Sequence, residues 1–315
     1  MRSTLTSPDV QPVRIWKALD GSVPLFDDPT LSIRMLPWHN RPDTHLEVTV
    51  FRVETGQITQ MDVEVAVTLA KMKVLTERQL RLLYTERYGK AHKLASRLRF
   101  LQQIGWFEGW TIESEYNKRE YVWSIGIGAK NYLGFVMGMR DLPNPISIAQ
   151  NIAHYLSVCA VNELRIQMLQ RQVISEENFV LYPHIAPNAE NPLAMVGMNT
   201  PVGMIVLYVE RLQQTKKPLR YMKMKLKRYK DLIDNGRLPS PFPTEHPPIM
   251  VWSCGTEEAA RDIVGSLNEL PSEMIHLFLI DEHMTDFRYA FRIAEKGGQV
   301  GDVLLQPFVF DFLDN

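Results

Sequence analysis

The residues best suited to chemistry are the cations of residues 71–119, which could neutralise the phosphates of a nucleic acid. This segment holds eleven Lys and Arg residues against five Asp and Glu residues, whereas the whole chain has a formal net charge of −1. Cations that contact phosphates release counterions, so a local positive surface favours nucleic-acid binding even in a nearly neutral protein.

The candidate phosphate contacts belong to a predicted helix and a predicted hairpin. The run from Lys90 to Ile104 has leucines at helical spacing, which leaves its polar positions on the opposite side. Aromatic and β-branched runs at 106–112 and 119–125 flank a polar turn, as in a β-hairpin. The candidate DNA-binding residues are Lys90, His92, Lys93, Ser96, Arg97, Lys118 and Arg119. The alternative for each of them is an ordinary solvated charge.

The elements that would position these cations follow a recognisable order. A helix is predicted over residues 59–73, a second helix begins after the N-cap candidate Thr76, and the Lys90–Ile104 helix ends at Gly105. Three helices followed by a hairpin predict a winged helix-turn-helix domain over residues 59–139. Its last helix would enter the DNA major groove.

A second concentration of positive charge lies at residues 211–230, with nine Lys and Arg residues and no Asp or Glu. The spacing predicts a basic helix that packs through Tyr221, Met224 and Tyr229. Its outward cations would form a second basic surface of Lys216, Lys217, Arg220, Lys223, Lys227 and Lys230. This surface either contacts phosphates or an acidic partner, or is only a solvated face.

Composition excludes several classes of protein. The chain has 315 residues, of which 45% are hydrophobic, so it can build sizeable cores and is not a disordered protein. Its two cysteines exclude a disulfide framework, and no signal peptide or membrane span is apparent, so we expect a soluble, cytoplasmic protein. The eight histidines are scattered, and phosphate-binding loops and hydrolase motifs are absent. We therefore predict no catalytic residues, no metal and no cofactor.

The remaining segments complete the predicted organisation. Residues 1–58 form an arm without an assigned role, in which Leu46 to Gly56 has the alternation of a strand. Residues 146–172 predict a linking helix, and residues 173–315 alternate strands with helices, as in a layered α/β domain.

The chain resembles the plasmid replication-relaxation family, the MobC-like proteins of mobile elements in Gram-positive bacteria. The resemblance rests on LTERQLRLLY (75–84), KLASRLRFLQQIGWFE (93–108) and YVWSIGIGAKNYLG (121–134). These stretches have the form of the family's L-T-x-x-Q-L, R-L-x-x-L-x-x-x-G and L-T-x-x-G motifs. The last departs from the pattern, since Gly126 or Ile127 stands where the family has threonine.

The resemblance implies that residues 173–315 form a restriction-endonuclease-like domain. An active domain of that kind needs clustered carboxylates that hold Mg²⁺. Here Tyr208 stands where the first carboxylate would be, and Glu210 and Arg211 stand where the family has Asp-Arg. We therefore expect a degenerate nuclease-like domain, in which Glu210 pairs with Arg211 or with a helix cation.

The predicted fold is α+β: a winged helix-turn-helix domain followed by the degenerate nuclease-like α/β domain. The predicted function is non-enzymatic binding of double-stranded DNA for a plasmid, phage or integrative element, in transcriptional control or in replication and DNA processing. Further candidate partners are a replication, mobilisation or transcription protein and a second copy of the chain. The alternatives are a protein-interaction adaptor and, less favoured, a metal-dependent nuclease.

Overall fold

The computed structural model describes residues 15–183, 191–201, 203–213, 217–235, 240–244, 246–267, 270–296 and 303–310. Helices and strands both contribute, and the strands form two separate sheets, so the predicted mixture of α and β structure is confirmed. The helices are α1 (Leu46–Glu54), α2 (Gln60–Met72), α3 (Glu77–Tyr88), α4 (Ala91–Gln103), α5 (Ile127–Asn131), α6 (Pro145–Gln150), α7 (Ile152–Gln170), α8 (Pro218–Asp234) and α9 (Glu257–Gly265).

The smaller sheet has four strands in the order β1-β3-β4-β2. Its strands are β1 (Ser32–Met35), β2 (Leu75–Thr76), β3 (Phe107–Glu113) and β4 (Glu120–Ile125), and all neighbours are antiparallel. The predicted hairpin is therefore confirmed as β3 and β4. One face of this sheet packs on α2, α3 and α4, and the other face packs on α6 and α7.

Local signals determine the three helices around the smaller sheet. Thr59 and Thr76 each cap a helix through a capping box, in which the threonine side chain and a side chain three residues later satisfy each other's backbone N–H groups. Gly105 follows α4 with φ +75°, and a Cβ there would lie 2.5 Å from the Thr44 side chain. Only glycine meets both requirements at this turn.

The arm differs from its predicted structure. Leu46 to Glu54 is the helix α1 rather than a strand. Leu46, Thr49, Val50 and Val53 are buried or half-buried and are spaced i, i+3, i+4 and i+7, so the helical period overrides the β-branched composition. Upstream of α1, the strand β1 adds to the edge of β3.

The larger sheet has seven strands in the order β11-β10-β9-β8-β7-β6-β5. The strands are β5 (Phe179–Leu181), β6 (Ala194–Thr200), β7 (Gly203–Arg211), β8 (Ile249–Cys254), β9 (His276–Ile280), β10 (Phe291–Lys296) and β11 (Val303–Pro307). The central strands β7, β8 and β9 are parallel, and the flanking pairs are antiparallel. Each parallel pair needs a crossover connection, which α8 supplies between β7 and β8 and α9 supplies between β8 and β9.

Helices cover both faces of the larger sheet. Apolar residues of α7 pack with one face, and apolar residues of α8 and α9 pack with the other. The predicted linking helix is interrupted: α6 ends before Asn151, and α7 continues to Gln170. No helix within the described residues has the length and apolar character that a bilayer span requires.

Candidate nucleic-acid interface

Helix α4 separates its apolar and polar residues onto two sides. Leu94, Leu98 and Leu101 are buried against the helices and strands around them. The exposed residues on the other side include four of the predicted contacts: Lys90, His92, Lys93 and Ser96. Neither lysine forms an ion pair with any residue that the structure describes. The helix thus presents two uncompensated cations to solvent.

Arg97 is engaged inside the domain. Its Nε donates to both oxygens of Asp62, at 3.0 and 3.2 Å, and its Nη2 donates to the Gln57 carbonyl at 2.6 Å. Burial acts to raise the pKa of Asp62, but hydrogen bonds from Arg97 and Thr59 hold that pKa below its ordinary value. The guanidinium charge therefore compensates the buried carboxylate of Asp62, which makes Arg97 a poorer DNA contact than its sequence position predicts.

The hairpin tip faces the arm. Asn117 donates to the Val23 carbonyl at 3.1 Å and to Asp28 at 2.9 Å. Arg119 is paired with Glu113, and Lys118 borders a cavity beside the arm. Both side chains are exposed, and DNA contact by Lys118 and Arg119 stays a prediction.

The second basic surface lies on and before α8. Pro218 occupies the first helical turn, as predicted. The exposed cations are Lys217, Arg220, Lys223, Lys227, Arg228 and Lys230, whereas Lys216 lies outside the described residues. Met224 was predicted on the packed side but is exposed, and Met222 is buried in its place. Lys230 approaches Glu273 at 3.6 Å, whereas Lys223 and Lys227 form no ion pair with any residue that the structure describes.

Glu210 is closed off from solvent by α8. Its carboxylate forms an ion pair of 2.7 Å with Lys225 and accepts hydrogen bonds from Tyr221 at 2.6 Å and Tyr229 at 2.5 Å. The predicted pairing of Glu210 with a helix cation is confirmed. Burial, followed by the charge of Glu210, raises the pKa of Tyr229 far above its ordinary range, so the phenol stays a proton donor to the carboxylate.

A second buried ion cluster lies where the parallel strands end. Arg211, at the end of β7, donates to Asp27 of the arm at 2.9 Å, to Ser253 at 2.9 Å and to Asp281 at 2.9 Å. The Arg211 side chain is 1% exposed. Burial raises the pKa of Asp281 to about 7, against the lowering effect of Arg211. The arm therefore supplies one carboxylate to the core of the larger sheet.

Two of these residues were not predicted from the sequence. Lys225 lies in the buried stripe of Met222, Leu226 and Tyr229, which are four and three residues apart, so helical spacing alone could have placed it inward. Asp27 carried no local signal, since its partner Arg211 is 184 residues away.

No family model, curated protein or solved structure matches the chain. The resemblance to the replication-relaxation family therefore stays a prediction from the quoted motifs.

Proposed function

We propose that the protein binds double-stranded DNA through the exposed side of α4, without catalysing a reaction on it. The elements from α2 to β4 run helix, strand, helix, helix, strand, strand, and three of the strands lie in the order β2-β4-β3. This arrangement is typical of a winged helix-turn-helix domain, in which α4 would be the helix that enters the major groove.

The observation that carries the proposal is the polar side of α4. Lys90 and Lys93 are exposed and have no ion-pair partner within the described residues, while His92 and Ser96 beside them offer hydrogen bonds. Cations of this kind contribute affinity through phosphates without reading sequence, and neighbouring polar groups can reach base edges. The proposed contact set is accordingly narrower than the predicted one, since Arg97 is paired with Asp62 and Arg119 with Glu113.

The proposal of a degenerate nuclease domain rests on the larger sheet. The succession α7-β5-β6-β7-α8-β8 has the order of a restriction-endonuclease-like core. The one acid at the expected position, Glu210, is occupied by Lys225 and two tyrosines. We therefore expect DNA to stay uncut in Mg²⁺ or Mn²⁺. Cleavage by a pure preparation that disappears in Glu210→Gln would contradict this expectation.

The biological setting follows from the family resemblance. A replication-relaxation protein of a plasmid, phage or integrative element would act in transcriptional control or in replication and DNA processing. A replication, mobilisation or transcription protein would then be a second partner, beside the DNA.

The test of DNA binding compares two double variants by fluorescence anisotropy with a duplex of about two helical turns. Lys90→Gln with Lys93→Gln should weaken binding at least about tenfold, because hydrogen bonds to charged groups contribute about 1.5–3 kcal/mol each. The slope of log affinity against log salt should also fall by about 1.8, at about 0.9 per lost phosphate contact.

The matched control removes two exposed cations elsewhere, through Lys17→Gln with Arg140→Gln. This pair should leave both the affinity and the salt slope unchanged. Equal losses in the two double variants would show that only the total charge matters, and unchanged affinity in the α4 variant would exclude α4 as the interface.

A protein-interaction adaptor is the second candidate, and exposed apolar side chains favour it. Phe51 on α1 is 62% exposed, and Phe135, Val136 and Met137 after α5 are 75%, 49% and 46% exposed. Such side chains would suit a protein partner. Absence of any salt-dependent DNA binding, together with loss of a captured partner in Phe51→Ser and Phe135→Ser, would favour the adaptor.

A further inference from the structure

A cavity of about 580 Å³ lies where the arm, α3, the hairpin tip, α7 and the turn after β9 meet. Its apolar wall includes Phe26 of the arm, Leu82 of α3 and Met284 of the turn. A space of this size with an apolar wall and a few convergent polar groups is typical of a small-molecule site.

Four carboxylates line this cavity, and one of them, Asp281, is paired with Arg211. The other three come from separate parts of the chain. They are Glu120 of β4, Glu163 of α7 and Glu282 of the turn after β9. None of the three forms an ion pair with any residue that the structure describes. The cavity therefore contains negative charges that no protein cation contacts directly.

Neutral hydrogen-bond donors hold these carboxylates in place. Glu163 accepts from the amides of Gln79 and Gln167, each at 3.2 Å. Glu282 accepts from two backbone N–H groups, those of Leu19 at 2.8 Å and Glu257 at 2.7 Å. Neutral donors orient a carboxylate without cancelling its charge, and that charge acts more strongly where water is partly excluded.

Glu120 is held in the same way, by the backbone N–H groups of Tyr121, at 2.9 Å, and Arg78. Burial raises the pKa of Glu120 and the charge of Glu77 adds to that effect, while the backbone N–H groups of Tyr121 and Arg78 and the charge of Arg81 act against it. The ionised side chain is therefore poorly solvated, and the charge of a cationic ligand could stabilise it in place of water.

The two cations at the border of the cavity form no ion pairs with these carboxylates. Arg78 and Lys118 line the cavity, but both side chains are exposed and neither forms an ion pair with a described residue. Long cationic side chains can turn their charged ends into water. The carboxylates, fixed by their donors, cannot turn away in the same manner.

We propose that this cavity binds an organic ammonium ion with an apolar body, whose charge lies among Glu120, Glu163 and Glu282 and whose body contacts Phe26, Leu82 and Met284. The described residues contain no group of His, Cys, Asp and Glu side chains placed to hold a metal ion. The apolar wall calls for an organic group beside the charge. This site is independent of DNA binding by α4.

The test uses three probes of one shape and different charge, measured by isothermal titration calorimetry. They are 1-naphthylmethylamine as the cation, 1-naphthalenemethanol as the neutral form and 1-naphthoate as the anion. The amine should bind with one-to-one stoichiometry and at least about tenfold more tightly than the alcohol, since a charge-assisted hydrogen bond contributes that much. The carboxylate should bind most weakly.

Variants locate the binding. Glu120→Gln with Glu163→Gln should reduce amine affinity to that of the alcohol, and Leu82→Trp should weaken all probes by filling the cavity. Glu115→Gln, an exposed acid outside the cavity, is the control and should change nothing. Absence of amine binding, equal binding of the alcohol, or undiminished amine binding in both cavity variants would overturn the proposal. Thermal melting of each variant shows whether it is folded.

Discussion

Glu108 is a buried carboxyl whose position on β3 makes folding stability depend on pH. It is 6% exposed, and its Oε2 has no hydrogen-bond partner in the described part of the chain. Burial raises the pKa of Glu108 to about 7. Between its ordinary pKa and about 7, the folded protein keeps a proton that the unfolded chain releases. Stability from this group is therefore full at low pH and is lost as pH rises through 7.

We expect Glu108→Gln to remove this dependence. At pH 8 the variant should be more stable than the natural protein by up to about 3 kcal/mol, because a shift of one pKa unit corresponds to about 1.4 kcal/mol. At pH 4.5 the difference should vanish. Urea unfolding across this pH range measures it, with the exposed Glu115→Gln as control. A stability difference that does not change with pH would show that Glu108 is not the group that titrates.

For single residues, the sequence predicts whether a side chain is exposed better than it predicts which residue the side chain pairs with. The lysines of α4 are exposed because the leucine spacing fixes which side of the helix is buried. Arg97 lies near that boundary, and the sequence cannot show that Asp62, 35 residues earlier, reaches its guanidinium. Partner choice depends on how α2 packs on α4, which no local pattern contains.

Among the elements, those with local start and stop signals were predicted correctly. Thr59 and Thr76 cap the starts of α2 and α3 through their side chains. Gly105 follows the end of α4, where the backbone has a positive φ that glycine adopts readily. Strand β1 has only four residues and exists because β3 offers an edge about 80 positions later. Tertiary pairing of this kind has no signature in the strand itself.

Helix α8 permits a prediction at this scale. Lys223→Glu with Lys227→Glu should lower the salt dependence of DNA affinity by about one unit for each lost phosphate contact, if α8 is a second phosphate-contacting surface. Both side chains are exposed, so the melting temperature should change by only a few degrees. Lys17→Glu with Arg140→Glu has the same charge change and should leave the slope unaltered. An equal slope of log affinity against log salt in both double variants would show that the α8 lysines are only solvated and contact no phosphates.

Across the whole molecule, the arm connects the two sheets. Strand β1 extends the smaller sheet, while Asp27 reaches Arg211 at the carboxyl end of the larger one. Gly255 permits this approach, because a Cβ there would lie 2.1 Å from Asp27 Oδ2. The arm thus contributes to the core on both sides of the molecule.

Asp27→Ala should lower the free energy of unfolding by about 3–5 kcal/mol, as expected when one partner of a buried ion pair is removed. Gly255→Ala should be destabilising as well, because its Cβ displaces Asp27. The double variant should cost less than the sum, since the two changes disrupt the same contact. Urea unfolding measures all three, with the exposed Asp20→Ala as control. Strict additivity would show that Gly255 does not serve the Asp27 contact.

The pairing of β1 with β3 also orders events during synthesis. The arm leaves the ribosome before the strand that it will join, because Ser32 pairs with Glu113. Closing so long a loop carries an entropic cost, so local helices such as α2 and α3 can form before β1 pairs with β3. Until the arm arrives, β3 is an open strand edge of the kind that recruits other chains. Strand β1 is therefore made before β3 but pairs with it late in folding, and this pairing covers the exposed edge of β3.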